Sequence, residues 1–225
     1  MSIITIIGAR SGSKRVPNKN LQLLGGYPLI SHSVVMGVSL GYPVFVSTDS
    51  VEIANVSQQW GAGIIMRPPE LATDIATDYD WIYHLLLKLE QAERHTPDLI
   101  AFLRPTTPFR ATFTLKTALD TFNPNSSSLR SVEEIPEALE KHFRITDKYL
   151  TSPFPMELDA TNLPNQVFPK AYKANGYIDI LRPEQIKKGD IYGDKIQAYI
   201  TAKSIEIDTL EDLDYANYHI QSHVS

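Results

Sequence analysis

The chain has 225 residues, with 21 Lys and Arg against 26 Asp and Glu, a formal net charge of −5 and no cysteine. That length suits one domain able to bury roughly 70% of its unfolded surface without staples. The missing cysteines exclude disulfides, zinc–thiolate sites and thiol nucleophiles, and the mild acidity argues against a general nucleic-acid binder. No apolar run approaches the 18 or so residues of a membrane span, and no basic leader precedes the first apolar run. The expectation is a cytoplasmic protein that engages neither membrane nor nucleic acid.

The first predicted element is a strand over Ile3–Gly8, a β-branched run too short to cross a bilayer. Further strand-like runs cover Val44–Ser47, Gly63–Met66, Leu99–Leu103, Ser128–Val132, Ala171–Leu181 and Gln197–Thr201. Helical spacing of apolar residues predicts helices over Leu29–Leu40, Val51–Trp60, Tyr79–Arg94, Leu115–Phe122 and Leu210–Ile220. Asp49 followed by Glu52 has the form of a capping box for the second helix, and Asp208 or Thr209 is placed to cap the last. Such alternation predicts an α/β fold with a mostly parallel sheet covered by helices. One segment breaks the rhythm. From Glu133 to Lys170, prolines mix with charges without sustained periodicity, which fits a disordered stretch, a lid or an arm on a single domain spanning 1–225; the arm is favoured.

Chemistry concentrates where predicted strands end. After the first strand, a loop containing Ser11, Gly12 and Ser13 carries Arg10, Lys14, Arg15 and Lys19 within ten residues. Small residues admit backbone N–H groups to phosphate oxygens, and Arg and Lys neutralise their charge. A solvated basic turn is the plainer reading. The spacing matches neither G-x-x-x-x-G-K-[ST] nor G-x-G-x-x-G. Near the last predicted helix, strand alternation would put Glu206 and Asp208 on one face, where two carboxylates can share a hard cation such as Mg²⁺; a solvated edge with Asp208 as helix cap is the alternative. The six histidines have neither metal-ligand spacing nor the context of a serine nucleophile, and G-x-S-x-G is absent.

Arg10-Ser11-Gly12-Ser13-Lys14-Arg15-Val16-Pro17-Asn18-Lys19-Asn20 resembles the A-R-x-G-S-K-x-[IL]-P-x-K-N loop of the cytidylyltransferases that make CMP-activated acidic sugars, such as CMP-sialate synthetases. The resemblance continues in order through Gly26–Ile30, Val46–Asp49, Arg67–Ala72, Arg104–Arg110, Asn175-Gly176 and Ile205–Asp208. It implies a Rossmann-like, three-layer sheet of the nucleotide-diphospho-sugar transferase type, with residues 133–170 as a protruding dimerisation arm. The implied reaction joins CTP to a 2-keto-3-deoxy acidic sugar and releases pyrophosphate.

By the same resemblance, Ala9, Arg10, Ser11, Gly12, Ser13, Lys14 and Lys19 would bind CTP, with Asn20 on the ribose. Arg67 and the loop around Ala76 and Asp78 would read cytosine. Lys19, Arg10 and Asp208 would be catalytic, and Asp208 with Glu206 would hold Mg²⁺ or Mn²⁺. Arg104, Thr106, Lys173, Asn175 and Asp179 would face the acidic sugar, and the implied assembly is a homodimer. The chain departs from the pattern at three points: Glu206 stands where Asp is usual, Arg104 where Gln is usual, and Asp179 where an aromatic is usual. An arginine fork suits a carboxylate or phosphate where glutamine suits hydroxyls, so the departures at Arg104 and Asp179 point to a nonstandard acidic sugar, or another anionic acceptor, over ordinary sialate. Two other readings stand beside this one: a metal-dependent glycosyltransferase on a related nucleotide-sugar fold, and a nucleotide-binding homologue without turnover.

Overall fold

The computed structural model describes residues 1–93, 96–156 and 158–223. In chain order the strands and helices are β1 Ile3–Gly8, β2 Leu23–Leu24, β3 Tyr27–Pro28, α1 Leu29–Ser39, β4 Val44–Thr48, α2 Val51–Gln59, β5 Gly63–Met66, α3 Asp78–Glu93, β6 Leu99–Phe102, α4 Thr112–Asp120, β7 Ser128–Ile135, β8 Arg144–Thr146, β9 Tyr149–Thr151, β10 Ala171–Leu181, α5 Pro183–Lys187, β11 Ile196–Ile200 and α6 Leu210–His223. Arg94 and His95 lie outside the described residues. No helix among the described residues is long and apolar enough to cross a membrane.

Seven strands form one sheet in the order β11-β7-β10-β6-β1-β4-β5. β1 pairs in parallel with β4 and β6, and β4 with β5. β10 runs antiparallel to both its neighbours, β6 and β7, while β11 is parallel to β7. Period-2 alternation turns Ile3 and Ile7 to one face of β1 and Ile4 and Ile6 to the other, and all four are buried. The first face packs Ile30 and Val34 of α1, Ile53 of α2 and Leu115 of α4. The second packs Ile82, Leu85, Leu86 and Leu89 of α3 with Ile186 of α5. A smaller cluster seats α6, through Leu213 and Ala216, on Leu24 and Leu29.

This connectivity decides where a ligand can lie. From β1 the chain moves out to β4 and β5, then returns to β6 on the opposite side of β1. Connections leaving the C-terminal ends of β1 and β6 therefore diverge, and such a switch point opens a crevice. The Arg10–Asn20 loop and the Arg104–Arg110 segment border it.

The irregular region differs in part from its expected boundaries. Glu133 is not in a loop: β7 continues to Ile135 and pairs with β10 as far as Ala171. Beyond it stands a separate two-stranded hairpin, β8–β9, and every residue from 142 to 151 is exposed. The expected capping box at Asp49 is also corrected. Ser50 caps α2, its hydroxyl accepting from Ile53 N at 3.3 Å, because the Asp49 carboxylate receives the N–H of Ser11 at 2.9 Å.

Candidate active site

A cleft of about 430 Å³ opens at the crevice, lined by Arg10, Ser13, Lys14, Arg15, Lys19, Asn20, Asp74, Pro105 and Thr106 above Gly8. A smaller cavity of about 230 Å³ adjoins it and shares Gly8, Arg10 and Asp74 with it. Its other walls include Arg67, Thr73, Ala76, Asp78 and Trp81. Gly8 is required where β1 ends, because a Cβ there would lie 2.6 Å from the Trp81 ring.

The basic loop meets the cleft through side chains. The Ala9 N–H donates to Ser47 O at 3.0 Å, that of Ser11 goes to Asp49, and that of Ser13 to Ser11 O at 2.9 Å. These three amides are engaged by protein acceptors, and the Ser11 hydroxyl also bonds to Asp49, at 2.5 Å. Ala9 is buried in the core, and it and Ser11, both expected to bind CTP, anchor the loop to Ser47 and Asp49 in this structure. Gly12 has open space around the position of a Cβ, so no steric demand explains it.

The four cations are already paired. Arg10 lies 3.0 Å from Asp74 Oδ1, which also draws its other oxygen to Lys14 Nζ, and Arg10 donates to Thr73 O at 2.6 Å. Lys19, only 11% exposed, lies 2.9 Å from Asp208 Oδ1 and 3.0 Å from Ile207 O. Arg15 reaches Asp208 Oδ2 at 3.1 Å. Asn20 Nδ2 donates to Arg10 O at 3.0 Å, fixing the loop's two ends together.

Asp208 is free for this because the cap is made elsewhere. Thr209 Oγ1 accepts Asp212 N–H at 3.1 Å, while the Asp212 carboxylate accepts Asp208 N–H at 2.9 Å and Thr209 N–H at 2.7 Å. The segment before it is no strand, contrary to the alternation argument for Glu206 and Asp208; it is tied to the site by Ile207 N–H donating to Thr106 O at 2.7 Å. Burial and the neighbouring Asp208 raise the Glu206 pKa. Neither carboxylate lines the cleft, though Asp208 pairs with its Lys19 and Arg15; two carboxylates within electrostatic reach of each other are a donor set whose chemistry fits a hard divalent cation completed by phosphate and water oxygens. Among the described residues no group of three or more His, Cys, Asp or Glu gathers into a fuller cage.

In the smaller cavity, Arg67 is buried and fixed by Ser47: Nε to Ser47 Oγ at 3.1 Å and Nη2 to Ser47 O at 2.7 Å. Its guanidinium lies 5.0 Å from the Trp81 ring centroid. Burial lowers its pKa to about 10, against the pull of Asp49 and Asp78, so it stays cationic at neutral pH. Trp81 Nε1 donates to Asp78 Oδ1 at 3.1 Å. The cavity thus offers an aromatic edge, a cation and a carboxylate at the start of α3.

The residues expected to face the sugar divide into two sets. Thr106 lines the large cleft, and Lys173 is more than half exposed beside Glu133 Oε1 at 3.2 Å. Asn175 is instead buried in a bulge of β10, donating to Thr201 Oγ1 at 2.6 Å and accepting from Tyr177 N–H at 3.3 Å. Its neighbour Gly176 adopts φ +65°, and a Cβ there would lie 2.9 Å from Thr107 Oγ1 and 3.1 Å from Arg104 Cδ. Asp179 is buried and receives Arg104 Nη2 at 3.1 Å and Tyr192 Oη at 3.0 Å. Asn175 and Asp179 therefore shape the wall from behind it: Asn175 and one Asp179 oxygen bond to protein partners, while Asp179 Oδ1 is buried without a hydrogen bond, 3.8 Å from Arg130 Nε.

Sequence reasoning missed Asp74, Tyr192 and Glu133, and it placed Arg15 in the basic loop without its partner Asp208. Glu133 Oε2 accepts Ser204 N–H at 2.9 Å and so joins β7 to the acidic segment. Asp74 had a signal, since it lies in the Arg67–Ala72 stretch's continuation and is acidic beside a basic loop; the other three pair across long separations that periodicity does not report.

A sequence model of the cytidylyltransferase family matches residues 4–224. The chain belongs to the cytidylyltransferase family. This cytidylyltransferase is 39% identical over 138 residues to the CMP-N,N'-diacetyllegionaminic acid synthase of Legionella pneumophila, covering 60% of its own length and 59% of that protein. It is 29% identical over 229 residues to the N-acylneuraminate cytidylyltransferase of Streptococcus agalactiae, covering 98% of its own length and 54% of the relative. The chain thus spans rather more than half the length of these relatives. Among solved structures, CMP:2-keto-3-deoxy-manno-octonic acid synthetase complexed with CTP superposes with a TM-score of 0.74 at 19% identity, covering 99% of this chain and all of that one. The 4-diphosphocytidyl-2C-methyl-D-erythritol synthase of Anaerococcus prevotii gives 0.67 at 13% identity, with 98% of each chain covered. At those identities the likeness establishes the fold.

Proposed function

We propose that the chain transfers CMP from CTP to the anomeric hydroxyl of a 2-keto-3-deoxy acidic sugar, a sialic-acid-like nonulosonate, releasing pyrophosphate. The observation that carries this reading is the pair of joined cavities: one walled by four cations and Asp74, with Asp208 paired to two of those cations, the other by Arg67, Asp78 and Trp81. A triphosphate needs the first and a polar, planar base suits the second. The relatives' names favour an acidic nine-carbon sugar as acceptor.

In the reaction the acceptor's hydroxyl oxygen bonds to the α-phosphorus as the bond to the β-phosphate oxygen breaks in line. Arg10, Lys14, Arg15 and Lys19 stand to hold the triphosphate and neutralise the charge that builds on the departing pyrophosphate. Before that, each must exchange its carboxylate partner, Asp74 or Asp208, for phosphate. Lys19 and Arg15 also hold Asp208 in place at the head of the cleft. Asp208 and Glu206 would hold Mg²⁺ or Mn²⁺, which when bound screens phosphate charge and makes a coordinated hydroxyl more acidic. Binding both substrates against one rigid sheet end supplies positioning, the other large term in phosphoryl-type transfer.

The exposed hairpin supports a homodimer as the working assembly. Ile145 is 77% exposed and Tyr149 76%, with Leu150 beside them, and large apolar side chains left in water on a protruding arm favour burial against a second copy. The dependence on CTP puts the reaction in the cytoplasm. The test is transfer of label: with α-labelled CTP, a divalent cation and a 2-keto-3-deoxy acid, label should move to the acid. Label moving only to water, or a UDP-sugar consumed in place of CTP, would refute it in favour of another activity on this fold.

A further inference from the structure

Arg104 was expected to present its fork to the acceptor's carboxylate, but its fork is already filled. Nη1 donates to Asp78 Oδ2 at 3.1 Å, and Nη2 to Asp179 Oδ2 at 3.1 Å and Tyr192 Oη at 3.3 Å. Tyr192 in turn donates to the same Asp179 oxygen at 3.0 Å. The guanidinium carbon lies 4.1 Å from the Phe102 ring centroid, and Gly176 leaves room for the stem, since a Cβ there would lie 3.1 Å from Arg104 Cδ.

We infer that Arg104 is a positioning residue, a strut that couples the base-reading carboxylate Asp78 to the acceptor wall at Asp179. The inference rests on the proposed function for what the two ends do; the coupling itself is geometric. Asp78 opens α3 and lines the smaller cavity, with one oxygen on Trp81 and the other on Arg104. Asp179 sits in β10, opposite Phe102 of β6 and Arg130 of β7. It lines neither nucleotide cavity. One guanidinium thus bridges two carboxylates that would otherwise repel, and a neutral residue at 104 breaks that bridge, leaving Asp78 to Trp81 and Asp179 to Tyr192 and Arg130. Lysine cannot replace it, since a point charge lacks the planar fork that reaches two acceptors on different elements.

The coupling makes a remote residue matter to nucleotide binding. In Asp179→Asn, Arg104 loses its stronger partner and shifts toward Asp78, so CTP affinity measured without any acceptor should fall about 3- to 30-fold. Arg104→Gln should do the same and raise the KM for both substrates. In the double variant the second substitution should add nothing further, because both act through one strut. Tyr192→Phe is a milder probe that leaves both charges in place.

A nucleotide-free readout separates this from the proposed activity. In a Trp60→Phe background the remaining indole, Trp81, reports on Asp78 through their hydrogen bond, so Asp179→Asn should shift its emission in the apo protein. A CTP affinity unmoved by Asp179→Asn, or strictly additive effects in the double variant, would overturn the strut. An unchanged Trp81 emission would overturn it equally. Failure of the wild-type chain to bind CTP, with the emission shift present, would refute the proposed function and uphold the coupling.

Discussion

Lys19 Nζ stands 2.9 Å from Asp208 Oδ1, across 189 positions of sequence. The contact brings the loop that follows the first strand onto the head of the last helix, beside the cleft proposed to hold the triphosphate. Because Lys19 is nearly buried, its ammonium cannot reorient into solvent and must face either a carboxylate or a phosphate.

Replacing Lys19 with Ala should therefore lower turnover by on the order of 10²–10³, the loss typical of one preorganised donor at a developing anion. Steady-state rates at saturating CTP check this. A rate near that of the wild type would remove Lys19 from the reaction.

Asp208→Asn should weaken activity and shift the divalent-cation titration together, since the same oxygens that now hold Lys19 and Arg15 are those offered to a cation. Helix α6 should keep its cap, which belongs to Thr209 and Asp212, while the nucleotide-free protein loses stability because nearly buried Lys19 is left without its carboxylate. An unchanged metal titration curve would take Asp208 out of the metal site.

Asp74 occupies Arg10 and Lys14 as an internal anion. Asp74→Asn removes that competitor, so CTP should bind several-fold more tightly at low ionic strength. The gain should fade as salt screens these exposed charges. Calorimetric titration at two salt concentrations measures it; weaker binding in the variant would mean that Asp74 itself contacts nucleotide or metal.

Much of this arrangement was legible in the residues. Ile3–Gly8 read as a buried strand because β-branched residues fill both faces, and the loop after it read as a phosphate site because small residues and four cations fall within ten positions at a strand's end. The antiparallel course of β10 was not legible: a strand buried on both faces has the same apolar run in either direction. Asp49 and Asp208 each looked like a helix cap, yet Ser50 and Thr209 are the caps, and both aspartates accept from the basic loop instead. Local motifs cannot tell a carboxylate that caps from one that pairs with residues far along the chain. Arg104 was read by its chemistry alone, and only the fold reveals that Asp78 and Asp179 reach it first.

Glu133 gives a pH signature. Burial alone would raise its pKa, but the Ser204 N–H, Lys173 and Asn175 together hold it below the ordinary glutamate value of 4.5. A carboxyl depressed in the folded state contributes stability that is present above its unfolded pKa and lost as pH falls through its folded one. Glu133→Gln should cost about 1–3 kcal/mol near neutral pH, since it leaves buried donors without their charged acceptor. The gap to wild type in urea unfolding should narrow below about pH 4.5. A gap independent of pH would show that the loss lies in packing.

The central claim is that this cleft joins a cytidine nucleotide to an acidic sugar, and acceptor-dependent pyrophosphate release tests it most directly. With Mg²⁺, each of the four nucleoside triphosphates and a panel of 2-keto-3-deoxy acidic sugars, release should require CTP and one or a few acids. Release with UTP or ATP in place of CTP, or release that no acidic sugar stimulates, would contradict it.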